Sequence, residues 1–216
     1  MGTKTHAKSH ATGLWRNLTL AVSLSATLAL LGNAALAAPK DAENFVRERG
    51  AEAIAVLNKP GLTDQEYAKE FLAFVDRSFD VPAMAQFALG VYWRQATAPQ
   101  REEFVKLYKV YFINTYSQRF RTFSGERFDV LGVRPVNGTE NLVQSRIVRP
   151  AAAQPITIEW HVREQGGQQR VVDLIIEGLR LGITLRDEFS ALVQRGGLDN
   201  LLKALRDKNL TFNRGV

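Results

Sequence analysis

Apolar positions recur at three- and four-residue steps from Asp41 to Phe123 and at two-residue steps beyond Gly125, so helices come first and strands follow. Phe45, Ala53, Ile54 and Leu57 mark a first helix that the Pro60–Gly61 pair ends. Tyr67, Phe71, Phe74, Val75 and Phe79 share one face of a second, over about 64–79. Asp80 and Pro82 suit the N-cap and first turn of a short helix through Phe87. A long helix should begin at Thr97, where Gln100 sits at capping-box spacing and Pro99 in the first turn. Its stripe of Phe104, Leu107, Tyr108, Tyr111, Phe112, Tyr116, Phe120 and Phe123 is widened by Val105, Val110 and Ile113, which predicts cover on more than one side.

In the second half Ile156, Ile158, Trp160 and Val162 alternate with Thr157, Glu159, His161 and Arg163, the pattern of a half-buried antiparallel strand. Asn137–Gly138 and Gly166–Gly167 are turn signals. Four strands are predicted, over about 127–136, 141–149, 155–164 and 169–179, joined as a meander because the connections are too short for crossovers. Two closing helices are expected, one carrying Leu185, Phe189, Leu192 and Val193, the other Leu201, Leu202 and Leu205, with Gly196–Gly197 between them. The tail after Lys208 is expected to be loose. This order of elements is an α+β layout.

The first 37 residues read as a secretory signal peptide. Lys4, Lys8 and Arg16 supply a basic start, Leu18 to Leu31 an uncharged apolar run, and Ala35–Leu36–Ala37 an A-x-A cleavage site. Residues 38–216 then form a single domain, large enough to bury a core unaided. Without the leader the formal charge drops from +6 to near +3, with both signs mixed along the chain. That balance argues against nucleic acid as a partner and leaves room for transient contact with an anionic membrane. The absence of cysteine excludes disulfides, thiolate catalysis, cysteine-ligated metal and a cysteine-linked lipid anchor.

Little catalytic inventory remains. His6 and His10 leave with the leader, and His161 falls on the polar face of its strand. The common nucleotide, dinucleotide, hydrolase and metalloprotease motifs are missing, so neither a cofactor nor a metal is expected. Asp173, set among Val171, Val172, Leu174, Ile175 and Ile176, must find a partner if buried; Arg94 or Arg186 could serve. The sharper alternative makes Asp173 a general base in a small isomerase-like enzyme. The aromatic surplus has two readings as well: a filled core, or the wall of a cavity for alkyl chains.

Several segments are recognisable. FDVPAMAQFALGVYWRQATAPQREEF at 79–104, YSQRF at 116–120, VVDLIIEGLRLGITLRDEF at 171–189 and GGLDNLLKAL at 196–205 resemble the MlaC-like, or toluene-tolerance, family of periplasmic lipid shuttles. The resemblance implies a non-enzymatic protein that carries phospholipid between an outer-membrane lipoprotein complex and an inner-membrane ABC transporter complex. It also implies a helical layer packed on a curved four-stranded antiparallel sheet enclosing an apolar cavity. FDVPA, LGVYW and RPAAAQP at 149–155 are similar to the hopanoid-associated HpnM branch, whose cargo would be a hopanoid or related lipid. Leu179 and Arg180 depart from the small hydroxyl residue usual after the Glu-Gly pair. The apolar faces give the expected lining: Phe79, Phe87, Trp93, Tyr108, Tyr111, Phe112, Tyr116, Ile158, Trp160, Ile175 and Phe189. The rival to a shuttle is a transporter adaptor with a solid core.

Overall fold

The structure, a computed structural model, describes residues 1–2, 28–120, 126–149 and 154–214. Most of the expected leader, the end of the aromatic stripe at Phe123, the period change at Gly125 and Pro150 lie outside the described residues. The chain divides into residues 1–37 and 38–216, and the second unit carries all the elements below except the start of α1.

Among the described residues six helices and five strands follow in order: α1 (Leu28–Leu57), α2 (Asp64–Ser78), α3 (Val81–Leu89), α4 (Tyr92–Gln95), α5 (Ala98–Phe120), β1 (Arg127–Pro135), β2 (Glu140–Val148), β3 (Ile156–Gln165), β4 (Gln168–Ile176), β5 (Leu179–Arg180) and α6 (Leu181–Arg214). The caps explain the helix starts. Asp80 Oδ1 accepts the Ala83 amide at 3.0 Å, and Thr97 with Gln100 forms the expected box, the Thr97 amide donating to Gln100 Oε1 at 3.0 Å. Each satisfies amides that the first helical turn leaves unpaired.

The sheet is an antiparallel meander in the order β1-β2-β3-β4-β5. Register shifts between Val130 and Gly132 and between His161 and Val162 are bulges of the kind that bend and twist a strand. Helices α2, α3 and α6 all meet β4, and the amide of Asp80 donates to Val171 O at 2.9 Å, which pins the α2–α3 junction to that strand.

Three expectations need correction. The sheet has five strands, not four, because the predicted last strand turns at Glu177–Gly178, both in the left-handed region at φ 51° and 79°. Glu177 tolerates that backbone because its amide donates to Thr157 O at 3.0 Å and its carboxylate accepts the Thr157 hydroxyl at 2.9 Å. The short helix α4 was not anticipated. The tail beyond Lys208 is helical to Arg214: Asn209 is buried and its Nδ2 donates to Leu107 O at 3.1 Å, one helical turn past Leu205 on the face against α5. The break expected at Gly196–Gly197 is present: both glycines leave helical backbone, Gly197 at φ 76°, so α6 is two helices meeting at a kink.

Candidate functional site

Between the inner face of the sheet and helices α1, α2 and α5 lies an apolar void of about 70 Å³. Five of the expected lining residues meet there: Phe79, Phe112, Tyr116, Ile158 and Trp160. Phe79 sits 5.8 Å from the Phe112 ring and 6.4 Å from Trp160, and Phe112 lies 4.9 Å from Tyr116. Every lining group is apolar toward the void. The indole of Trp160 donates to Ser145 Oγ at 2.8 Å, and that hydroxyl donates to Ile158 O at 3.0 Å. The one polar atom of the largest lining side chain is thus satisfied inside the sheet, which keeps the wall dry.

The other six expected residues lie elsewhere. Tyr108 and Phe189 are fully buried, and Phe189 of α6 meets both Tyr108 and Phe104 of α5 edge to face. Tyr111 joins them 5.9 Å from Phe189, with its hydroxyl 3.3 Å from the Glu188 carboxylate. These three fill a solid core. Ile175 pairs with Glu159 and Arg180, out of phase with Leu174 and Ile176, which do line the void. Phe87 and Trp93 border a separate surface groove.

Some lining residues escaped the sequence reading. α1 contributes Gly50, Ala53 and Ile54, α2 Phe71 and Phe74, and β1 Phe128. The periodicity of α1 and α2 marked most of these as inward, but nothing in it says which inward residues border empty space. Gly50 has a visible reason: a Cβ there would stand 2.1 Å from the Phe128 ring, so glycine lets α1 close against β1.

Asp173 is buried and held. Its Oδ1 accepts the amides of Leu174 at 2.9 Å and Gly182 at 3.0 Å, and Arg180 Nε lies 3.5 Å from Oδ2. Burial raises its carboxyl above the ordinary range, while those two amides and the Arg180 charge pull the other way. The partner is therefore Arg180, not Arg94 or Arg186, because the tight β4–β5 turn folds Arg180 back while Arg186 Nε donates to Phe87 O at 3.0 Å. On the outer sheet face His161 Nε2 lies 3.1 Å from Glu140 Oε2, and Arg163 Nε donates to Glu140 Oε1 at 2.7 Å. Burial works against ionisation of Glu140, yet these two partners outweigh it and hold its carboxyl below the usual value. Among the described residues no group of three or more His, Cys, Asp or Glu could hold a metal, and no helix is long and apolar enough to cross a membrane.

Asp173→Asn should fold, since an amide oxygen can accept the same two amides, whereas Asp173→Ala strands both and should cost about 1–3 kcal/mol. A folded-state carboxyl raised above its unfolded value makes the native protein bind the extra proton, so stability falls as pH rises from the ordinary Asp range through the raised value. Wild type should lose stability relative to Asp173→Asn across that window in melts at stepped pH; parallel curves would contradict the assignment.

Comparison with known proteins agrees with this architecture. A model of the family described as MlaC protein matches residues 48–207. The intermembrane phospholipid transport system binding protein MlaC of Haemophilus influenzae is 21% identical over 122 residues; the match spans 55% of this chain and 56% of that protein, about half its length. The fold is shared with the phospholipid-binding protein from Ralstonia solanacearum, solved in complex with a phospholipid, at a TM-score of 0.68 and 22% identity, over 80% of this chain and 98% of that one. With the family match running from α1 into the last turns of α6, the chain belongs to the MlaC family.

Proposed function

We propose that this protein is a periplasmic lipid carrier, exported by residues 1–37, whose domain at 38–216 holds the acyl chains of a phospholipid between the sheet and helices α1, α2 and α5. The observation that carries this reading is the apolar void walled by Phe79, Phe112, Tyr116, Ile158 and Trp160. Its about 70 Å³ is well short of the roughly 300–1,000 Å³ of a typical ligand pocket, so loading requires the helices to part from the sheet. Each methylene kept from water is worth about 0.8 kcal/mol, which offsets the loss of bilayer surroundings only if the opened cavity stays apolar. The apolar lining supports that requirement. The phospholipid bound by the Ralstonia protein and the transport system named for the Haemophilus relative support the cargo class and the role.

The resemblance to the HpnM branch extends the cargo to hopanoids, and the family role supplies the partners: an inner-membrane ABC transporter complex, an outer-membrane lipoprotein complex and brief membrane contact. The chain carries no nucleotide motif, so unloading draws on a partner rather than on its own chemistry. A non-enzymatic role fits the commitment of Asp173 to two amides and Arg180.

Incubation with vesicles of phosphatidylglycerol and phosphatidylethanolamine, re-isolation and lipid extraction should return close to one lipid per protein. Protein that stays empty would favour an adaptor with a solid core. His161→Ala should leave this uptake unchanged, because the imidazole faces Glu140 on the outer side of the sheet; lost uptake in a folded variant would overturn that placement.

A further inference from the structure

A second concavity, of about 510 Å³ and open to solvent, lies between the end of α3, α4, the outer side of β3 and the start of α6. Three guanidinium groups from separate elements converge on it, Arg94, Arg163 and Arg186, and no carboxylate is among its lining residues. Two of the three are fixed in place. Arg186 donates from Nε to Phe87 O at 3.0 Å, with its guanidinium 3.8 Å over the Phe87 ring, and Arg163 is held by Glu140 through Nε at 2.7 Å. Fixing both through Nε leaves their Nη donors, the pair that grips a carboxylate edge, turned to other use. Arg94 is exposed, and among the described residues its guanidinium has no hydrogen-bond or ion-pair partner. Trp93 is half-buried in the wall, and Val91 beside it is 59% exposed.

We propose that this groove docks an acidic segment of a partner protein, with carboxylates on Arg94, Arg163 and Arg186 and an apolar side chain against Val91 and Trp93. The lining carries three guanidinium groups and no acid, and only Arg163 is already paired, with Glu140, so the excess of positive charge calls for an anionic occupant. The concave shape suits a protruding peptide better than a flat membrane, and arginine with tryptophan is the pairing that dominates the energetics of protein interfaces. The groove also touches the void wall: a Cβ on Gly182 would stand 2.7 Å from Phe87, and the adjacent Leu181 lines the void. An occupant would thus press on the β5–α6 junction that closes the void. The need for a partner rests on the carrier reading; the chemistry of the groove does not.

The test is a nuclear magnetic resonance titration of the isotope-labelled protein with acetyl-Asp-Leu-Glu-Leu-Asp-amide, its uncharged Asn/Gln counterpart, and phosphatidylglycerol vesicles, with lipid content of each sample measured by mass spectrometry. The acidic peptide should shift Gly90, Val91 and the Trp93 indole, and binding should weaken at least tenfold in Arg94→Glu, an exposed site where folding is not at stake, and in Arg163→Gln. Equal binding of the uncharged peptide, indifference to both substitutions, or perturbation of these residues by vesicles but not by peptide would overturn the proposal. Peptide binding by protein that never contains lipid would sink the carrier reading alone, and lipid-loaded protein blind to the peptide would sink the docking site alone.

Discussion

Phe112→Asp and Trp160→Asp should each abolish copurification of lipid. Both side chains are almost wholly buried and both border the void, Phe112 from the helical side and Trp160 from the sheet. A carboxylate there has no partner in an all-apolar wall, so it either draws water into the space meant for alkyl chains or costs several kcal/mol. Milder variants separate loss of fold from loss of binding. Phe112→Ala removes a ring that touches Phe79, Tyr108 and Tyr116, and should lower stability by about 3–5 kcal/mol. Trp160→Phe keeps an aromatic wall but withdraws the donor from Ser145 Oγ, which should cost about 1–3 kcal/mol while lipid is retained. Thermal melts beside lipid extraction read both effects. A variant with native melting and a full lipid load would remove its residue from the cavity.

Ala53→Phe should act in the opposite sense, by filling. Ala53 sits on α1 facing the void, so a phenyl group there occupies the space from which a lipid cavity would open. The void of about 70 Å³ absorbs part of the added ring, and the remainder is overpacking that costs about 1–3 kcal/mol. Lipid uptake from vesicles should fall at least tenfold while the protein stays folded. An unchanged uptake would place the acyl chains somewhere other than between α1 and the sheet. Because the change adds no charge, its failure cannot be blamed on a wetted core.

How far the sequence reads depends on what each signal encodes. Two-residue alternation and the Gly166–Gly167 turn, with φ 60° and 78°, placed both ends of β3 and the start of β4 to within a residue, because side-chain parity and left-handed glycines are local properties. Asp80 and Thr97 announced their helices for the same reason. β5 was hidden because its turn uses Glu177 in a conformation that glutamate rarely takes, held by Thr157, twenty residues away. The partner of Asp173 was hidden with it, since only that turn brings Arg180 alongside. Ile175 was assigned to the cavity because VVDLII is apolar at five of six positions; the bulge opposite His161 and Val162 then decides the phase, putting Leu174 and Ile176 inward instead. Tyr108 and Phe189 show the deepest gap. A helical stripe states that a side chain is buried but not whether it meets another side chain or empty space, and here α5 does both, meeting α6 at Tyr108 and the void at Phe112 and Tyr116.

Native mass spectrometry of the protein purified from a periplasmic extract of a lipid-replete, hopanoid-producing host, followed by denaturing lipid extraction of the same sample, tests the carrier function most directly. One phospholipid or hopanoid bound per chain is the expected result, with the bound mass lost in Phe112→Asp. Protein that is repeatedly empty, from a host with lipid to spare, would contradict it and leave the void as a packing defect in an adaptor's core.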